Sequence, residues 1–126
     1  MHPISVLLVG NDSIFLRLAT RFLRECSDNE VVVIGAVGGG EEALVKAQGL
    51  RPQVILIDMN MSGLTKLEIV PLLRSTLPEA GIIIMAMMDT NGYRRAVLAA
   101  GANALVGKVD LNTDLLPAIR KAAQAR

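Results

Sequence analysis

At 126 residues and 13.4 kDa, the chain has the size of one domain with a single core. A net charge of +1 gives no long-range field that would draw nucleic acid or an anionic membrane. No apolar run approaches the ~20 residues of a membrane span, the N-terminus MHPISVLLVG lacks the basic flank and apolar length of a signal peptide, and the lone Cys26 excludes a disulfide framework or a Cys-based zinc site.

The expectation is therefore a cytoplasmic protein with no membrane attachment. Hydrophobic residues make up 52% of the chain and aromatic ones only 2%, so the core has to be built from Val, Ile, Leu, Met and Ala.

In chain order, ISVLLV (4–9) reads as a strand. SIFLRLATRFLREC (13–26) reads as a helix with Phe15, Leu18, Ala19, Phe22 and Leu23 on one face and Arg17, Arg21 and Arg24 pointing away. VVVIGA (31–36) is a second strand, and EEALVKAQ (41–48) a helix ended by Gly49, with Pro52 shortly after. The third strand spans 54–57, and a helix follows over about 64–76. GIIIMAM (81–87) is the fourth strand, followed by a helix over about 91–100 closed by Gly101 and a short strand ALV (104–106). The last helix runs from about 112 to 125, with Asn112 as its N-cap and Arg120, Lys121 and Arg126 near its negative end. Five βα units with short connections predict an α/β fold with a doubly wound, five-stranded parallel sheet covered on both faces, filling residues 1–126 as one domain.

The third strand, VILID, ends an apolar run on a carboxylate, Asp58, and the loop MNMSG follows at once. In open α/β sheets ligand chemistry sits just outside the carboxyl ends of the strands. Strand 1 ends at Gly10, Asn11 and Asp12, strand 4 at Ala86, Met87 and Met88, and strand 5 is followed by Lys108. If strands 1, 3, 4 and 5 are neighbours, these residues share one crevice. An aspartate facing a lysine there suits phosphoryl chemistry: the carboxylate can attack phosphorus, and the ammonium can pair with a phosphoryl oxygen as a point charge.

With VLLV in strand 1, GEEAL at 40–44, RPQVILIDMNMSG at 51–63, the IIIM strand and AAGANALVGK at 99–108, the whole chain resembles the receiver domain of two-component response regulators. It is most similar to the subfamily that often carries a DNA-binding helix-turn-helix after the receiver. The resemblance implies a (βα)5 flavodoxin-like receiver fold, no enzyme activity, and no direct nucleic-acid binding by this domain. As partners it implies a sensor histidine kinase or small phosphodonor, an output domain or other protein partners, and a homodimer through the fourth and fifth helices and strand 5. Asp58 matches the phosphoacceptor, Lys108 the lysine that pairs with the phosphoryl group, and Asn60 the residue whose backbone carbonyl helps to bind Mg²⁺.

Other positions depart from the family pattern. The two adjacent acids that hold Mg²⁺ fall at Gly10 and Asn11, and Asp12 comes one place late. Mg²⁺ prefers carboxylate and water oxygens. A unit-charge contact at ~4 Å is worth ~4 kcal/mol gross at an effective dielectric of ~20, less after solvation, so losing one such charge is expected to weaken Mg²⁺ binding, by up to several decades. The Thr or Ser of the switch aligns with Ala86, which has no hydroxyl, and the aromatic that swings inward on activation aligns with Leu105. Ser62 stands where the family has Pro after the Asp loop, and Val109 where it has Pro after the lysine.

The expectation is a retained acceptor whose Mg²⁺ binding is weak or absent, and whose signalling is not bound to phosphorylation. The alternatives are a conventional Mg²⁺-dependent aspartyl-phosphate switch controlling a transcriptional output domain, in which Asn11 and Asp12 join Asp58 and Asn60 at the metal, and a nucleotide-binding module. The last rests on GGGEEA (38–43), which fits G-x-G-x-x-A, although Glu41 and Glu42 stand where a pyrophosphate would sit. Asp12 has two readings, N-cap of the first helix or metal ligand reaching into the crevice. Met59, Met61, Met85, Met87 and Met88 cluster near the crevice as gap-fillers or as an adaptable binding surface. With few carboxylates to compete for Lys108, a direct Asp58–Lys108 pair is expected in the unmodified protein.

Overall fold

The computed structural model describes residues 2–59, 66–87 and 90–124. In chain order these form β1 (Ile4–Val9), α1 (Ser13–Cys26), β2 (Val31–Val37), α2 (Gly40–Leu50) and β3 (Val54–Asp58). A 3-10 turn at Lys66–Glu68 then leads into α3 (Ile69–Thr76), followed by β4 (Gly81–Ala86), α4 (Asn91–Ala100) and β5 (Ala104–Gly107). A second 3-10 turn at Lys108–Asp110 runs into α5 (Leu111–Gln124). The strands make one parallel sheet in the order β2-β1-β3-β4-β5, so strands 1, 3, 4 and 5 are neighbours, as the crevice requires.

The period-2 alternation of the strands divides the core in two. Leu7, Val9, Ile55, Ile57, Ile82, Ile84, Ala86 and Leu105 point toward α2, α3 and α4. Val6, Leu8, Val54, Leu56, Ile83, Met85 and Val106 point toward α1 and α5. Of the three central strands, β3 and β4 are buried along their whole length, which is why they read as unbroken apolar runs.

Several expectations change in detail. β2 continues to Val37 and β5 to Gly107, while β4 stops at Ala86. α1 buries Leu16, Ala19 and Leu23, with Phe15 and Phe22 partly buried. Leu18 is 59% exposed, because it lies about 200° around the helix from Leu16 and shares the outer side with Ile14, one turn earlier. α2 is not ended by Gly49. It runs on to Leu50, and Arg51 takes the left-handed cap (φ 49°), donating its N–H to the Ala47 carbonyl at 2.8 Å. The cause is Pro52, which disfavours the helical conformation for the residue before it. Asn112 lies inside α5 and is not its N-cap, because the chain already turns from Lys108 onward. Gly101 does close α4, at φ 118°. The expected start of the third helix at 64–65, the residues Asn60, Met61, Ser62 and Met88, and Arg126 lie outside the described residues.

Two contacts fix the outer helices. Gly81 opens β4 beneath α5: a Cβ there would stand 2.6 Å from the Ala122 Cβ and 3.1 Å from the Ala122 carbonyl, so only glycine lets the helix approach this closely. Arg120 of α5 grips Glu30, just before β2, through two charge-assisted hydrogen bonds of 2.8 and 2.9 Å. On the opposite face, Arg74 of α3 donates to the Gly101 carbonyl at 3.1 and 2.9 Å and to Asn103 Oδ1 at 2.7 Å, tying α3 to the end of α4.

Two glycine substitutions should therefore have opposite signs in urea unfolding. Gly81→Ala is expected to lower stability by roughly 1–3 kcal/mol through overpacking, whereas Gly49→Ala, inside α2 with open space around its Cβ position, should raise it by about 0.5–1 kcal/mol. A second expectation concerns acid. The Arg120 hydrogen bond holds the Glu30 carboxyl below the usual carboxylate range. A depressed folded-state pKa contributes stability at neutral pH that is lost as pH falls through that lowered value. Arg120→Gln should thus be less stable than the parent near neutrality, and the two should converge at acid pH in a series of urea melts.

Candidate functional site

The same alternation builds the site. Val54 and Leu56 face α1 and α5, so Asp58, two residues further on, faces the same way. Val106 also faces α1 and α5, and Lys108, two residues beyond it, returns toward Asp58. Asp58 is the last residue of β3 and pairs in register with Met85 of β4. Strand β4 separates β3 from β5, and the lysine stem crosses its end.

There the Lys108 Nζ meets Asp58 Oδ1 at 2.7 Å, with the lysine side chain 10% exposed and the aspartate fully buried. The expected direct pair is present. The ammonium also lies over the ring of Phe15, 4.1 Å from its centroid. Phe15 sits in the first turn of α1. The sequence marks it as a packing residue but does not reveal this contact. The available signal is its place three residues after Asp12, at the mouth of the crevice, in a chain with only two Phe, one Tyr and no Trp.

Asp12 adopts the first of its two readings geometrically. Its Oδ1 accepts from the backbone N–H groups of Ile14 and Phe15, both at 3.1 Å, as the N-cap of α1. Asn11 is exposed at the mouth. Gly10 is buried against Asp58: a Cβ on it would stand 2.8 Å from the Asp58 Cβ and 3.5 Å from Oδ2. Among the described residues there is no group of three or more His, Cys, Asp or Glu side chains able to hold a metal ion. Asn60, the fourth expected metal contact, lies outside the described residues.

Ala86 and Leu105 lie on the other face of the sheet. Both are buried in the cluster under α2, α3 and α4, next to Val97 and the partly buried Tyr93. Met85 is buried, Met87 is exposed and Met59 is partly buried, so the three described methionines of the cluster do not share one surface. At the start of α2, Glu42 Oε1 accepts the Gly38 N–H at 3.0 Å, placing the chain's own carboxylate at the glycine loop.

Residues 6–120 match the family model described as the response regulator receiver domain. The chain belongs to the response regulator receiver family. Among curated relatives, the receiver domain is 32% identical over 104 residues to a protein-glutamate methylesterase/protein-glutamine glutaminase of Maricaulis maris, covering 82% of this chain and 25% of that one. It is 31% identical over 111 residues to the transcriptional regulatory protein MctR of Rhizobium johnstonii, covering 88% of this chain and 50% of that one. The chain therefore spans between a quarter and half the length of these relatives.

Among solved structures, the response regulator domain of Thermotoga maritima CheB superposes with a TM-score of 0.88 at 24% identity, covering 99% of both chains. These likenesses establish the flavodoxin-like receiver fold and a place in two-component signalling. As a family, receiver domains bind Mg²⁺ and work with phosphodonors and output domains rather than as enzymes.

Breaking a buried pair leaves its remaining charge uncompensated, at a cost of roughly 3–5 kcal/mol. Lys108→Met should lower stability by about that amount, and adding Asp58→Asn should recover part of the loss. A cost below about 1 kcal/mol for Lys108→Met in urea unfolding would mean that the pair is not a buried couple.

Proposed function

We propose that this receiver domain is a signalling and interaction module that keeps the phosphoacceptor position, Asp58, and the phosphoryl-binding position, Lys108, while its output is only weakly coupled, or not coupled, to Mg²⁺-dependent phosphorylation. The observation that carries this reading is the closed approach at the crevice. Lys108 already occupies Asp58 Oδ1 at 2.7 Å, and the main chain at Gly10 leaves no room for the side chain through which the family offers its first metal-binding acid. Asp12 caps α1, and Asn11 offers only a neutral amide. This donor set does not suit Mg²⁺, a hard cation that wants an octahedral oxygen shell rich in carboxylate and water. At the positions where the family reads its switch, Ala86 has no hydroxyl to donate, and Leu105 is already buried.

In this reading the domain works through protein partners: a histidine kinase or other phosphodonor protein, an output domain, or a second copy docked through α4, β5 and α5. Its place is the cytoplasm, with no part in the membrane or in direct nucleic-acid contact. No helix among the described residues is long and apolar enough to cross a membrane.

The second reading is the conventional switch, favoured by the contact between Asp58 and Lys108 itself. An Asp58 oxygen would attack the donor's phosphorus as the donor's leaving group departs, and Lys108 would shift from the carboxylate to the new phosphoryl oxygens. A nucleotide-binding role is disfavoured by Glu42, whose carboxylate takes the Gly38 N–H at the loop a pyrophosphate would need.

Incubation with a small-molecule phosphodonor, with and without Mg²⁺, separates the first two readings. Little acid-stable, hydroxylamine-sensitive aspartyl phosphate is expected under either condition. Stoichiometric labelling that requires Mg²⁺ and disappears in Asp58→Ala would establish the conventional switch instead.

A further inference from the structure

We propose that Phe15 is a positioning residue that holds the Lys108 ammonium on Asp58, and that Asp12 acts on the site through Phe15 rather than as a metal ligand. A lysine head group is a strongly hydrated point charge on a flexible stem. With its side chain only 10% exposed, Lys108 has given up most of that hydration and needs replacements on more than one side. Asp58 Oδ1 supplies one at 2.7 Å. The face of the Phe15 ring supplies another at 4.1 Å, where the quadrupole presents negative potential to a cation.

The ring is itself placed by the cap. Asp12 Oδ1 accepts the backbone N–H of Phe15 at 3.1 Å, fixing the first turn of α1 at the residue that bears the ring. The flank of Phe15 packs against the cluster shared by α1 and α5. The order of action is Asp12 to Phe15, Phe15 to Lys108, and Lys108 to Asp58. An aliphatic side chain at 15 would fill the same wall but would offer the ammonium no negative face.

The bearing of this arrangement on phosphoryl chemistry rests on the reading of Asp58 and Lys108 proposed above. The arrangement itself is tested without any phosphodonor. In the unmodified full chain, the ammonium of Lys108 should give a nitrogen-correlated proton signal in solution NMR at low temperature, protected from water exchange and absent in Lys108→Met. Phe15→Tyr, which keeps a ring face, should retain the signal. Phe15→Leu should raise the ammonium's exchange with water about five- to thirtyfold, the equivalent of one desolvated cation–π contact. An amide fingerprint and a urea melt verify the fold of each variant, and Phe15→Met replaces Phe15→Leu if the latter does not fold.

Unchanged exchange in a folded Phe15→Leu or Phe15→Met variant would overturn the proposal, as would an equal loss in Phe15→Tyr, or the absence of a protected signal in the parent. The labelling experiment is independent: Mg²⁺-dependent labelling of Asp58 would remove the reading of a weakened switch while leaving the exchange data to decide the role of Phe15.

Discussion

A carboxylate buried to zero exposure at the end of a parallel strand needs a cation, and the arrangement of the crevice follows from where that cation comes from. Asp58 sits in the middle of the sheet, and Lys108 reaches it from β5 across the end of β4. Burying either charge alone would cost several kcal/mol, so the two are held as one unit. That unit ties the carboxyl ends of two strands that share no hydrogen bonds with each other, and Lys108 is the first residue of the turn that leads into α5. The close main-chain approach of Gly10 to Asp58 belongs to the same closed geometry.

In the proposed reading, the departures from the family pattern are consistent with one another. An acid at position 10 would compete for Lys108 and would collide with the Asp58 Cβ. Gly10 removes both effects, and Asp12, one place beyond the Gly10–Asn11 pair, is engaged as a helix cap. On the far face of the sheet, Ala86 and Leu105 fill their places in the core with small and aliphatic groups, matching a chain in which only three residues are aromatic. In our proposal the crevice keeps the acceptor and its cation, the ring of Phe15 takes a share in holding that cation, and the parts of the family's apparatus that answer to metal and phosphoryl oxygen are reduced. In that reading, what remains is a (βα)5 scaffold with surfaces for other proteins.

Much of this architecture was legible in the residues. Buried strands such as VILID and GIIIMA are continuous apolar runs because both faces of a parallel sheet are covered, and α1 shows its boundaries through Asp12 and its amphipathic period. The local pattern misleads where one signal competes with a stronger neighbour. Gly49 looks like a helix stop, but Pro52 moves the stop to Arg51. Asn112 looks like a cap, but the chain has already begun to turn at Lys108. Leu18 looks like a core residue, but α1 is rotated so that Leu16 takes that place and Leu18 joins Ile14 in solvent. A helix's rotation about its axis depends on what it packs against, and no local pattern contains that.

By itself the sequence determined the alternation of strands and helices, the family, and the positions of Asp58 and Lys108 at strand ends, because these follow from hydrophobic period and motif spacing along the chain. Only the tertiary structure decided that the two head groups meet at 2.7 Å, that Asp12 turns to cap α1, that Gly10 closes against Asp58, and that Phe15 covers the ammonium. Those contacts join residues from four separate elements, and their distances depend on sheet order, strand register and helix rotation, which exist only once the chain has folded.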